Sequence, residues 1–146
     1  MEELLNLTAP RIALAASGIF FMVGLLTGVW KYICIRQHPN AEAPHYVNTA
    51  HRAALMYAFA AQLLAVFAAT SAFSDTVNTV AVIFPLLFFG IAIFHYIILG
   101  LTTKSNNSIR DSADRTKDYF ILNILAAAEI GGFFVLLLGF FLRIWG

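Results

Sequence analysis

The stretch Thr79–Leu101, TVAVIFPLLFFGIAIFHYIILGL, contains no Asp, Glu, Lys or Arg over 23 residues. At 1.5 Å of rise per residue, about 20 apolar residues in helical form cross a ~30 Å hydrocarbon layer. A bilayer satisfies no backbone polar group, so a run of this kind must be helical. Pro85 within it predicts a kink, which membrane helices tolerate.

Working outward, three further runs are similarly apolar: Ile12 to Trp30, Ala53 to Phe73 and Tyr119 to Leu142, the last with a single charged residue, Glu129. Of the 146 residues, 60% are apolar and 12% charged, about half the ~25% charged share of soluble domains. So much apolar surface cannot be hidden in one small soluble core. The sequence predicts an all-α integral membrane protein: one four-transmembrane-helix bundle spanning 1–146, with helices over about 11–35, 48–73, 78–103 and 117–143. The first run is longer than a signal h-region, and Lys31 and Tyr32 rather than a small-residue cleavage site follow it.

Basic residues set the expected orientation. Lys31, Arg36 and Arg52 flank the first connection, and Lys104, Arg110, Arg115 and Lys117 the third. Only Arg11 and Arg143 lie on the opposite side. By the positive-inside rule both long connections are cytoplasmic and both termini outside. Cys34 is the single cysteine, so no internal disulfide forms. No zinc spacing, phosphate loop or nucleophile elbow occurs. A net charge of +1, without a dense basic patch, points to no nucleic-acid partner. The expected partners are the lipid bilayer and a small apolar ligand entering from it.

Polar residues at membrane depth are expensive and therefore informative. The second helix opens with His51 and Arg52 and carries Tyr57 and Gln62; the third carries His95 and Tyr96; the fourth carries Asn123 and Glu129. Counting rise from the cytoplasmic ends, His51, His95 and Asn123 lie within roughly two turns of that surface, and Glu129 about 15 Å in. Plainer readings stand beside a common site. His51–Arg52 can anchor the interface, His95–Tyr96 can be belt residues, and Gln62 and Asn123 can bond between helices. A carboxyl as deep as Glu129 must be protonated, paired or facing water.

Gly24 and Gly28 form a GxxxG, and Ala127/Gly131 and Ala128/Gly132 form small-xxx-small pairs. These permit close helix approach within the bundle or between subunits, and a homo-oligomer is expected. Chemically, a lone neutral histidine in an apolar cleft suits an axial haem ligand better than zinc, which needs three or four ligands at one point. His51 and His95 can also ligate one haem from two sides, as in electron-transfer cytochromes.

The stretch Asn48–Tyr57, NTAHRAALMY, resembles the opening of the second helix of bacterial styrene oxide isomerase. There an Ala-His pair opens that helix. The resemblance implies haem b held between protomers of a trimer, with His51 as the iron ligand. Arg52 and His95 are further candidates for cofactor contact, and a bacterial inner membrane is the expected location. Continuing without a gap, Phe94–Ile98 falls on the segment bearing that enzyme's catalytic-pocket tyrosine, which lands on Tyr96. Helix count, length and the long third connection agree. At the position of an asparagine that orients the epoxide, this chain has Tyr57, and an expected aspartate falls on Phe88. His95 and Glu129 have no counterpart. The implied chemistry is a Lewis-acid isomerase acting on a small apolar epoxide, with iron polarising its oxygen.

The same architecture is found in the membrane-associated glutathione and eicosanoid enzymes (MAPEG). Ala50-His51-Arg52 echoes their second-helix opening, which would make glutathione the cofactor. Leu55-Met56-Tyr57 replaces the polar residues expected next, and the Thr102–Asp118 connection is long for that family. A third reading is a haem electron-transfer or accessory subunit, which a bis-histidine iron with no open position would favour.

Overall fold

A computed structural model describes residues 6–102, 104–110, 112 and 115–146. Four helices account for nearly all of it: α1 (Thr8–Gln37), α2 (His45–Thr70), α3 (Asp75–Thr102) and α4 (Arg115–Trp145). All four are long and apolar enough to cross a membrane, so the chain is an all-helical integral membrane protein. The expected end of the third helix at Thr103 lies outside the described residues, as do Asp111, Ala113 and Asp114 of the third connection.

The helices start two or three residues before the sequence expectation, because polar headgroup-level residues such as His45 and Asp75 are helical too. α2 stops three residues earlier than expected. Ser71 is extended (φ −73°, ψ 145°), which turns the chain so that Ala72 N–H donates to the Gly139 carbonyl of α4 at 2.9 Å. α3 runs through Pro85, which is buried and packs against Gly132.

Helix pairing follows side-chain size. The buried face of α2 is an alanine stripe: Ala50, Ala54, Ala58, Ala61, Ala65 and Ala68. This three- and four-residue spacing puts them on one side of the helix. Lipid tails are as apolar as leucine, so association in a membrane rests on close van der Waals packing, which small residues allow. α1 lies closely along α2, with Gly24 and Gly28 facing it, and Ser17 Oγ donates to the Ala58 carbonyl at 2.8 Å. α3 packs on both, contributing Val82, Leu86 and Phe89 to the core, and α4 adds Leu136. The large apolar side chains face outward: Leu26, Phe59 and Phe94 are each more than 60% exposed, as lipid contact requires.

The end bearing the short α2–α3 turn is tied by polar bonds. Asp75 accepts the Thr8 and Ala9 amides at 2.9 and 3.1 Å, satisfying donors at the open start of α1. Buried Asn78 donates from Nδ2 to the Ala68 and Phe73 carbonyls. At the opposite end, Trp30 of α1, Val47 of α2 and Gly100 of α3 meet, so that a Cβ on Gly100 would lie 2.9 Å from the indole.

Candidate functional site

His51 sits one and a half turns into α2 and turns toward α1. The absence of a side chain at Gly28 makes the slot: a Cβ there would lie 3.0 Å from His51 Cε1, whereas one on Gly24 would meet Leu55. Nδ1 is 2.8 Å from the Gly24 carbonyl oxygen. A carbonyl only accepts, so Nδ1 carries a proton, and in the neutral ring Nε2 holds the lone pair. Nε2 has no hydrogen-bond partner among the described residues, and it is not one of the sealed unpartnered atoms. The second ring nitrogen is therefore not completely sealed. Thr27 returns its hydroxyl to its own helix, at the Val23 and Gly24 carbonyls, and does not compete for the imidazole.

On the other flank of α2, a groove of about 250 Å³ is lined by Thr49, Arg52, Ala53, Met56 and Tyr57, with Tyr96 from α3. Two stacks hold the tyrosines. Tyr57 lies on Phe89 (centroids 4.3 Å apart, 15° between planes) and Tyr96 on Tyr46 (6.3 Å, 13°). Tyr46 is buried, and its hydroxyl accepts the Ser108 amide at 2.6 Å, tying the third connection to the start of α2. Arg52 is the one cation lining the groove among the described residues, so a tripeptide thiolate would meet a single positive charge there.

Glu129 lies near the middle of α4, about 21 Å from its start, against about 18 Å for Tyr57 along α2. It is within electrostatic range of Tyr57, which is in turn within range of Tyr96. Glu129 Oε1 is sealed and has no hydrogen-bond partner among the described residues. Its side chain forms one end of an apolar hollow of about 410 Å³ with Ile130, Phe133, Phe134 and Leu137.

The remaining candidates lie apart. His95 is exposed on α3, its ring tilted against Tyr96 at 6.2 Å, and does not face His51. Asn123 is exposed and donates to the Tyr119 carbonyl of its own helix at 2.7 Å. Gln62 is exposed rather than bonded to a neighbouring helix. The structure thus brings together Arg52, Tyr57 and Tyr96 in one groove, with Glu129 near Tyr57. His51 stands at the α1 seam, about half a helical turn around α2 from the groove.

Sequence reasoning missed the Gly24 carbonyl as the partner of His51. The signal was the GxxxG itself, at the same depth as the histidine on the neighbouring helix. Among the described residues no three His, Cys, Asp or Glu side chains converge, so a metal here would have at most two such ligands from this chain. No protein-family model matches the chain, and no curated protein or solved structure is similar to it at a significant level.

Proposed function

We propose that this chain is a haem b-binding membrane protein in which His51 is the axial ligand through Nε2. The observation that carries the reading is the Nδ1–H bond to the Gly24 carbonyl. Histidines that bind metals characteristically donate their other ring N–H to a carbonyl or carboxylate, which fixes tautomer and ring orientation. The donor set fits a group that needs one protein ligand: a single imidazole, oriented through Nδ1, whose second ring nitrogen has no hydrogen-bond partner among the described residues.

When bound, the group supplies a Lewis-acidic iron able to polarise an ether or epoxide oxygen. The chain's own part is to hold and orient. The Gly24 carbonyl and the Gly28 slot keep His51 in one orientation. Ala53 and Met56 give apolar walls suited to a small apolar epoxide, and the Tyr57 and Tyr96 hydroxyls supply hydrogen bonds to a substrate oxygen. Arg52 marks the headgroup-level mouth. The activity on this reading is an epoxide-to-aldehyde isomerisation without net redox change. Because His51 and the groove lie on opposite flanks of α2, the site is completed by neighbouring copies, as a homotrimer. The basic connections face the cytoplasm of a bacterial inner membrane and the termini face out.

The test is the absorption spectrum of the protein purified in detergent after growth with a haem supply. A Soret band is expected in the wild type and in His95→Ala, and its loss in His51→Ala. A wild type without a Soret band overturns the proposal. A low-spin spectrum that becomes high-spin in His95→Ala would make the protein an electron carrier, because no open iron position would remain.

A further inference from the structure

All nine Lys and Arg side chains lie in or near the helix ends and connections, while Glu129 lies at mid-helix. No ion pair or hydrogen bond to its Oε1 occurs among the described residues. α2 and α3 are the elements packed against α4, and the ionisable side chains they bring toward Glu129 are Tyr57 and, behind it, Tyr96. Neither is a cation. The carboxyl thus has every cost of a membrane-depth charge and no internal countercharge.

The space in front of it is shaped for something apolar. The hollow, about 410 Å³, is open and runs along one face of α4; apart from Glu129 its walls are Ile130, Phe133, Phe134 and Leu137. Phe134 is 61% exposed, and Phe133 is braced edge-on by Phe67 at 5.2 Å, so two aromatic rings line the hollow about one turn along α4 from Glu129. A carboxylate beside aromatic faces in an apolar hollow attracts one ligand class above others. That class is an organic cation with apolar substituents, which neutralises the acid, meets the ring faces through cation–π attraction and loses little on leaving water.

We infer that the Glu129 hollow is a binding site for a lipophilic organic cation that enters sideways from the bilayer. Charge complementarity selects this occupant over a second copy of the chain, which would bring apolar α4 surface and no countercharge to the acid. The site is separate from His51, and the inference does not depend on haem.

The experiment uses the full chain in detergent, with tetraphenylphosphonium as probe and triphenylphosphine oxide as the neutral aryl comparison, read by isothermal calorimetry. Saturable cation binding is expected, with the neutral compound about tenfold weaker or worse. Glu129→Gln should weaken cation binding by about tenfold or more, and Glu129→Asp by less. Phe134→Leu should weaken it about two- to fivefold, the size of an exposed cation–π contact. Should Glu129→Gln fail to elute as a single species, the neutral probe on the wild type and Phe134→Leu still decide. Equal binding of the neutral compound, undiminished cation binding by Glu129→Gln, or no saturable cation binding each overturns the assignment.

Discussion

The α1–α2 seam and α4 are both built from membrane helices of about thirty residues, yet they solve opposite problems. Along the seam, glycines and alanines bring two backbones so close that His51 has one place to lie. In α4 only Leu136 and Gly139 are buried, both in its C-terminal half, while Tyr119, Phe120, Ile121 and Leu122 face outward near its start. Packing density sets how firmly a side chain is positioned. A histidine held in one orientation lies in the tight region, and a carboxyl beside an apolar hollow lies in the open one.

Glycine substitutions test that contrast most directly. Gly28→Leu should have the largest effect, because the added side chain starts 3.0 Å from the His51 ring. A loss of about 3 kcal/mol, as for severe overpacking, is expected in denaturant titration in detergent. Wild-type stability in this variant would mean that the seam is loose. Two adjacent glycines come next. A Cβ on Gly132 would lie 2.5 Å from the Ala81 carbonyl oxygen and 2.7 Å from Pro85, whereas nothing lies within 4 Å of one on Gly131. Gly132→Ala should cost about 2 kcal/mol, since backbone and a proline ring yield poorly. Gly131→Ala should stay within about 0.5 kcal/mol of wild type. Similar losses in both would show that α4 is covered on its outward side, which an oligomer in detergent would then have to explain.

Two smaller effects sharpen the comparison between the ends of the bundle. Asp75→Ala leaves the Thr8 and Ala9 amides without their acceptor, and should cost about 1 kcal/mol at this partly solvated site. Faster amide exchange confined to the first turn of α1 is the accompanying sign. Tyr46→Phe removes the acceptor of the Ser108 amide and should cost under about 1 kcal/mol. Its clearest readout is quicker proteolysis within residues 104–110, and an unchanged digestion rate would show that the tether does not restrain the connection.

The four helices were legible because the bilayer removes alternatives: about twenty uncharged residues leave the backbone only one way to bond itself. The end of α2 was not, since Ser71-Ala72-Phe73 is apolar enough to continue and stops only because the chain turns to meet Gly139. At the site, Arg52, Tyr57 and Tyr96 could be gathered from depth along the helices, which composition and rise supply. Which way each side chain turns depends on azimuth, and azimuth is set by packing against neighbours not yet known from one sequence. That is why His95 and Asn123, at suitable depth, point elsewhere, and why Gly24 was read as a packing residue rather than as the group that holds the imidazole.

The Asp75 contact has a consequence for how the protein is made. Ribosomes deliver the N-terminus first, and the start of α1 waits with unsatisfied amides until residue 75 has emerged. Once it has, α1, α2 and the beginning of α3 close on one another, and in their connecting turn the Ala72 amide waits for Gly139 of α4. The last helix then arrives at an assembled platform, docking through Gly132 and Gly139 in its second half while its beginning stays open. Biogenesis itself thus leaves the face of α4 that carries Glu129 until last.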